Sequence, residues 1–116
     1  MVVGELDEAH ADRVFHALAD ATRRDILARV TDAGQSVSRL ARHYPMSFAA
    51  VQKHVAVLER AALVTKRRRG REQVVHADPA ALRRVIRLLE AYEEIWRHRV
   101  RGIEQILAEE TEEPEG

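Results

Sequence analysis

Six basic side chains cluster within residues 64–77 of a chain whose net charge is zero, with 19 basic and 19 acidic residues. The wider segment 21–80 carries twelve Lys and Arg against five acids, whereas both ends of the chain are acidic. A local basic patch is typical of a surface that binds a polyanion, although charge alone leaves an ordinary solvated surface open. The cluster surrounds Gly70 and comprises Lys66, Arg67, Arg68, Arg69, Arg71 and, when protonated, His76.

Residues 48–60 have the pattern of a helix that reads DNA bases. At 100° per residue, Val51, Val55 and Leu58 share one face, which we expect to lie in the core. Small residues on the opposite face would let the helix approach the floor of the major groove, where Gln pairs with adenine and Lys with guanine or phosphate. A plain surface helix stays the alternative. The predicted DNA contacts are Ser47, Phe48, Ala49, Ala50, Gln52, Lys53 and His54.

Two helices are predicted near the start of the chain. Apolar residues three and four positions apart indicate an amphipathic helix over residues 8–18. Asp20 is the expected N-cap of a second helix, which ends at residues 32–34. Gly34 is expected to adopt the left-handed conformation that often follows a helix.

A helix-turn-helix is predicted next. Ser36 or Ser38 is expected to cap a short helix that runs to His43, and Pro45 ends it because the residue before a proline is pushed out of the α region. Ser47 then caps helix 48–60. The connection is three or four residues long, which is the spacing of a helix-turn-helix.

A β-hairpin and a long helix follow. Residues 64–68 and 72–77 read as two short strands around the glycine turn, so the basic cluster is predicted to form a wing beside the base-reading helix. Asp78 as N-cap and Pro79 in the first turn begin a helix that is expected to run to about Glu109. The predicted fold is mainly α with a small β-hairpin, a winged helix-turn-helix.

The last predicted helix is too long for so small a core. About 30 residues at 1.5 Å each span roughly 45 Å, and a near-heptad apolar series runs along it with Arg99 as an interruption. We therefore expect a homodimer, with the helix lying across its own domain as the alternative. The predicted dimer contacts are Phe15, Leu89, Tyr92, Trp96 and Ile103.

Composition narrows the class of protein. The chain has 116 residues, so we expect one domain over residues 1–109 and a disordered acidic tail over 110–116. The absence of cysteine excludes disulfides, thiolate metal sites and a cysteine nucleophile. No apolar run approaches the roughly 18 residues of a membrane span, so a cytoplasmic protein without membrane contact is expected.

The motifs together resemble the ArsR family of bacterial winged-helix repressors. The resemblance rests on "LADATRRDILARV" and "VSRLARHYPMSFAAVQKHVAVLERAALVTKRRRGREQVVHAD", within residues 14–108. It implies a homodimer paired through the first and last helices, with residues 47–59 as recognition helix and 65–76 as wing, bound to a palindromic double-stranded DNA operator. Arg23 and Arg24 match as well and lie beside a helix N-terminus, where an anion such as the DNA backbone is favoured. Ala62 stands where the family usually carries Gly.

Metal sensing, which many relatives perform, is not expected here. The thiolate site of the family would fall at "VSRLARH", which contains no cysteine. Glu94 and His98 are four residues apart and could form half of a zinc site, but an exposed ion pair is the simpler interpretation. We predict no metal and no cofactor, and the sequence identifies no inducer.

Three other functions are weaker. No phosphate-binding glycine loop or activated nucleophile supports an enzyme. A winged-helix module used only for protein contacts would not need an arginine-rich wing. RNA binding usually brings exposed aromatic residues for stacking, and Tyr44 and Phe48 are the only candidates near the basic cluster.

Overall fold

Five helices and three short strands make up residues 6–111, which are the part of the chain described by the computed structural model. This confirms a mainly helical winged helix-turn-helix with a small antiparallel sheet. The elements are α1 (Glu8–Leu18), α2 (Ala21–Asp32), β1 (Gln35–Ser36), α3 (Val37–Ala41), α4 (Phe48–Arg60), β2 (Val64–Arg69), β3 (Glu72–Ala77) and α5 (Pro79–Thr111).

Side-chain caps fix where all five helices begin, with Asp7 as the cap of α1. The Asp20 carboxylate accepts a hydrogen bond from Arg23 N at 3.0 Å, and the Ser47 hydroxyl accepts one from Ala50 N at 3.1 Å. Of the two serines proposed for α3, Ser36 is the cap. Asp78 caps α5 as predicted. These bonds satisfy backbone N–H groups that the first turn of a helix leaves without a partner.

The sheet contains one strand that the sequence did not reveal. The strand order is β1-β3-β2, and the two residues of β1 pair with Val74 and Val75 of β3. The expectation for Gly34, just before β1, was wrong: α2 ends at Asp32, its C-cap Ala33 is extended, and Gly34 is not among the residues of positive φ. A Cβ at this position would instead clash with the His76 ring, so the glycine allows a close approach to β3.

An aliphatic core joins the helices to the sheet. No polar or charged residue within 6–111 is buried. The core draws on every element except β1, from α1 to the first third of α5. Its largest fully buried side chains are Ile26, Leu40, Leu58, Leu63 and Leu88.

The fifth helix leaves the domain. Its buried residues are Ala81, Val85 and Leu88, and no residue from Leu89 to Thr111 is buried. The alternative that the helix lies across its own domain is therefore wrong. At 1.5 Å per residue its 33 residues span about 50 Å, and the molecule is 82 Å long.

The end of this helix differs slightly from the prediction. It reaches Thr111, two residues into the segment expected to be a disordered tail. Residues 112–116 of that tail, like residues 1–5 of the predicted domain, lie outside the described residues. Between residues 6 and 111, no helix combines the length and apolarity needed to cross a membrane.

Candidate nucleic-acid interface

The face of α4 that is predicted to read bases is open to solvent. Val51, Val55 and Leu58 are fully buried on the core side, as the periodicity predicted. Most of the predicted contact residues are exposed, whereas Ala50 and His54 are half-buried. The ring of Phe48 is 46% exposed at the first turn. The exposed members of the predicted set are Ser47, Phe48, Ala49, Gln52 and Lys53.

A polar cluster holds the turn that leads into α4. The Tyr44 hydroxyl donates a hydrogen bond of 2.6 Å to Asp25 of α2, and the same Asp25 oxygen lies 2.8 Å from Arg29 Nε. These hydrogen bonds, the one from Tyr44 first, lower the pKa of Asp25. Burial, followed by the bond to Asp25, raises the pKa of Tyr44 to about 12. The turn is thereby tied to α2, which fixes the angle at which α4 is presented.

The end of α4 is a Schellman motif that starts the wing. Leu63 N donates to Leu58 O at 3.1 Å, and Ala62 N donates to Glu59 O at 2.9 Å. Ala62 takes the left-handed position with φ of 60°, which a glycine would occupy without steric cost. His10 Nε2 of α1 lies 3.1 Å from Ala61 O, so α1 also holds this corner.

The wing presents its arginines on two faces. Successive side chains of β2 alternate, so Lys66 and Arg68 share one face and Arg67 and Arg69 the other. Lys66 forms an ion pair of 3.5 Å with Glu59 of α4 and thereby ties the wing to the recognition helix. The paired strands place Arg69 opposite Glu72 at the tip, where Gly70 turns with φ of 64°.

A polar cleft of about 390 Å³ separates the wing from α3. Arg39, Arg42 and Arg69 line it together with Glu72, and all four are exposed. The Oε1 atom of Gln35, another lining residue, is buried without a hydrogen-bond partner among the described residues. Arg39 and Arg42 were not among the DNA contacts predicted from the sequence. Their i, i+3 spacing could have indicated them, because they lie at the first helix of the helix-turn-helix, which normally crosses the DNA backbone.

Arg23 and Arg24 are already engaged within the domain. Arg23 donates from Nε to Ala17 O at 2.8 Å and from Nη2 to His16 O at 2.9 Å, and Arg24 donates from Nη1 to Leu18 O at 2.6 Å. They donate to carbonyl groups in the last turn of α1, where the regular helical hydrogen bonds end. A phosphate can reach only their remaining N–H groups, and their contact with the DNA backbone stays a prediction.

His54 packs into the same corner of the domain. Its Nδ1 lies 3.3 Å from Arg23 Nη1 and 3.9 Å from the Asp20 carboxylate. Because arginine only donates, this contact is a hydrogen bond in the tautomer whose proton lies on Nε2. The hydrogen bond from Arg23 N is the main cause that lowers the pKa of Asp20. His54 therefore links α4 to α2, and whether its Nε2–H also meets DNA stays a prediction.

Of the two residues considered for a zinc site, Glu94 pairs with Arg101 rather than with His98. Its Oε1 accepts a hydrogen bond of 3.3 Å from Arg101 Nη2. Over residues 6–111, no three His, Asp or Glu side chains form a cluster suited to a metal ion.

Comparisons with known proteins give one consistent result. Residues 18–67 match a family described as a helix-turn-helix domain. The chain is 36% identical over 99 residues to the HTH-type transcriptional regulator Rv2034 of Mycobacterium tuberculosis, a match that covers 85% of this chain and 90% of the relative.

Solved structures extend the likeness to almost the whole fold. An ArsR-like transcriptional regulator from Rhodococcus sp. RHA1 superposes with a TM-score of 0.75 and 39% identity, over 84% of this chain and 92% of that one. A possible ArsR-family regulator from Mycobacterium bovis, solved as a homodimeric winged helix-turn-helix DNA-binding domain, has a TM-score of 0.61 at 22% identity, over 80% of this chain and 91% of that one.

Proposed function

The chain belongs to the ArsR family of bacterial winged helix-turn-helix transcriptional regulators, and we propose that it is a repressor that binds a palindromic operator as a homodimer. It is a regulator and not an enzyme. A repressor works on the chromosome, so the proposal includes a cytoplasmic location. It includes no metal and no cofactor, and it names no inducer.

One observation carries this proposal: α3 and β2, which bring the arginines, both pack against α4, whose outer face is exposed. Gln52 and Lys53 are exposed on α4, with the wing following directly in the chain and the arginine-lined cleft of α3 beside the wing. We propose that Gln52 and Lys53 read base edges in the major groove, whereas the arginines bind phosphates. Phosphate contacts of this kind make binding strongly dependent on salt.

The arginines of the proposed phosphate contacts come from two elements. The wing contributes Arg67, Arg68, Arg69 and Arg71, with Lys66 held against α4. Arg39 and Arg42 are added to the predicted set because the cleft places them near Arg69. Side chains from separate elements around one polar cleft present several donors to the same sugar-phosphate backbone, which positions a protein on DNA.

A homodimer is proposed from the surface of α5. The predicted contacts Tyr92 and Trp96 are 46% and 67% exposed, and Phe15 of α1 is 42% exposed. Leu89 and Ile103 are exposed as well. Large apolar side chains concentrated on one surface mark an interaction site. The M. bovis relative is described as homodimeric, which supports the same assembly here.

The experiment is operator selection followed by a binding assay. Genomic fragments that the purified protein retains at about 0.15 M salt are sequenced, and gel shifts compare the selected fragment with a shuffled one. We expect an inverted repeat in the selected fragments, bound at least about 1000-fold more tightly than shuffled DNA. Equal affinity for both would contradict the proposed operator. No binding to either would favour the alternative of a winged-helix module for protein contacts. Repression itself is checked with a reporter downstream of the selected repeat.

A further inference from the structure

Phe48 is the large apolar side chain of α4 that the domain leaves in solvent. It is 46% exposed, and within residues 6–111 every other exposed large apolar side chain lies on α1 or α5. Tyr44 and Met46 of the preceding turn, by contrast, pack against the core. A single exposed apolar residue is common on protein surfaces, so what distinguishes Phe48 is its place in the fold.

The apolar contact that fixes the start of a helix is made by other residues. Such a contact joins the residue before the N-cap to the fourth residue of the helix. With Ser47 as the N-cap of α4, these positions are Met46, which packs against the core, and Val51, which is fully buried. Phe48 is the first residue of the helix and belongs to neither position. Its exposed ring therefore calls for a contact outside the domain.

Phe48 lies beside Gln52 at the edge of the outer face of α4. At 100° per residue the two are about 40° apart around the helix, and Ala49 and Lys53 continue the exposed face on the far side of Gln52. The first acidic residue of α4 is Glu59, so no carboxylate in the first turns of the helix repels DNA. Base edges are contacted by the N-terminal residues of a recognition helix, and Phe48 is the first of them.

A phenyl ring in the major groove selects for one chemical group. The base edges present hydrogen-bond donors and acceptors, and the apolar group among them is the 5-methyl of thymine. A ring that displaces water from a polar base edge leaves that edge without a hydrogen-bond partner, which costs free energy. Against a thymine methyl the same ring buries apolar surface, which is favourable. Gln52 suits adenine, so both neighbouring side chains favour A·T pairs.

We propose that Phe48 binds the 5-methyl group of a thymine in each operator half-site. This rests on the proposed function, because α4 has to lie in the major groove, and it adds the base that the first turn of α4 selects. Phe48 and Gln52 are about 6 Å apart along the helix axis. Since stacked base pairs are about 3.4 Å apart, the thymine lies within about two base pairs of the adenine that pairs with Gln52.

Replacing thymine by uracil tests this contact, because the two bases differ only in the 5-methyl group. Duplexes of the selected operator are made in which one thymine and its mate in the other half-site are replaced by deoxyuridine, for each thymine in turn. Affinities are measured by fluorescence anisotropy. We expect one position at which the unmodified protein loses about 4-fold in affinity per half-site, or about 16-fold for both, which corresponds to one buried CH₂ group in each.

The Phe48→Ala variant assigns the methyl contact to the ring. Because Phe48 is exposed, we expect the variant to fold, which thermal unfolding checks. It should bind the thymine duplex and the deoxyuridine duplex with equal affinity. Lys53→Ala is the matched control on the same face of α4. It should weaken binding to both duplexes and leave the ratio of the two affinities as it is in the unmodified protein.

The outcomes separate the thymine contact from DNA binding itself. Equal affinity of the unmodified protein for selected and shuffled DNA overturns the proposed function and this proposal together. Specific binding that no deoxyuridine weakens overturns the thymine contact and leaves the proposed function standing. A deoxyuridine effect that persists in Phe48→Ala assigns the methyl group to another residue, such as Ala49, and overturns the role of Phe48.

Photochemical cross-linking gives a second measurement on the unmodified protein, which decides the matter even if Phe48→Ala does not fold. The thymine that is sensitive to deoxyuridine is replaced by 5-iodouracil, whose iodine takes the place of the methyl group and which cross-links to aromatic side chains in contact with it on irradiation. Mass spectrometry of the digested complex should find the nucleotide attached to Phe48. A cross-link to a different residue, or none at all, would overturn the contact between Phe48 and the thymine.

Discussion

The domain buries its large apolar side chains in its own core, whereas the free part of α5 leaves its large apolar side chains exposed. Up to Leu88 the aliphatic residues interlock in one core, and Leu58 and Ile26 are completely inaccessible to solvent. From Leu89 onward the helix carries side chains of similar size and buries none of them. The first region is stabilised by its own packing. The second has a sequence that is explained only by a surface outside the chain.

This contrast teaches that periodicity alone does not say what covers an apolar face. The heptad-like series of α5 continues from Val85, which is anchored in the domain, to Ile106, which is exposed, without a change in spacing that marks the boundary. The boundary is set by where the small core ends. A domain of this size buries a limited fraction of its surface. A helix of about 50 Å is longer than the core, so its end extends beyond the domain.

Two leucine substitutions test the core and the free part of α5 separately, and we expect them to have the largest effects. Leu58→Ala removes a buried side chain from the core and should lower the free energy of unfolding by about 2–5 kcal/mol, measured by urea denaturation. Leu89→Glu places a charge among the exposed apolar side chains of α5 and should leave the domain folded but monomeric. With one half-site bound at a time, operator affinity should fall about 100-fold, measured by gel shift and light scattering.

A matched variant on the other side of α5 controls for charge. His98→Glu adds one negative charge at an exposed position on the side of α5 nearly opposite Leu89 and Trp96, and it should preserve the dimer and operator binding. If His98→Glu separates the dimer as well as Leu89→Glu does, the effect is due to net charge and not to the apolar face of α5 that contains Leu89. If Leu89→Glu stays dimeric, the free half of α5 does not hold the dimer together, and the contrast between the two regions needs another explanation.

The next largest effect tests which arginines of the domain belong to the proposed DNA-binding surface. Replacing Arg39 and Arg42 by Ala removes two cations from the cleft beside the wing. The slope of log K against log salt should become shallower by about 0.9 for each phosphate that is no longer neutralised, or up to about 3.6 for both arginines in both protomers. The preferred operator sequence should not change, because binding to phosphates carries no base information.

Arg13→Ala combined with Arg83→Ala is the control for this measurement. It removes the same charge from exposed positions of α1 and α5, away from the cleft. Its slope should equal that of the unmodified protein. Equal slopes for the Arg39 and Arg42 double variant and the unmodified protein would show that the cleft does not touch DNA and would confine phosphate binding to the wing and other surfaces.

Local signals made most of the fold predictable. Caps such as Asp20, Ser47 and Asp78 act within three residues of their partners, so they are visible in the sequence. The buried face of α4 follows from 3.6-residue periodicity. Strand β1 was missed because two residues carry no period, and they form a strand only through pairing with β3.

The candidate site was predictable as residue types but not as an arrangement in space. The sequence predicts Arg23 and Arg24 as anion ligands because they are basic and lie at a helix N-terminus. In the structure their guanidinium groups donate hydrogen bonds to carbonyls at the end of α1. That partner lies on a preceding helix, at an angle that the sequence does not specify. Arg39 and Arg42 became candidates only when the sheet brought Arg69 to the same cleft.

The smallest expected effect lies at the junction of the recognition helix and the wing. Ala62 holds the left-handed position of the Schellman motif, where its Cβ is unfavourable. Ala62→Gly should raise the free energy of unfolding by about 1 kcal/mol, measured by urea denaturation. Ala28→Gly, in the exposed interior of α2, should lower the same quantity by about 1 kcal/mol. A decrease in both would mean that the neighbours of Ala62 depend on its methyl group more than the backbone resists it.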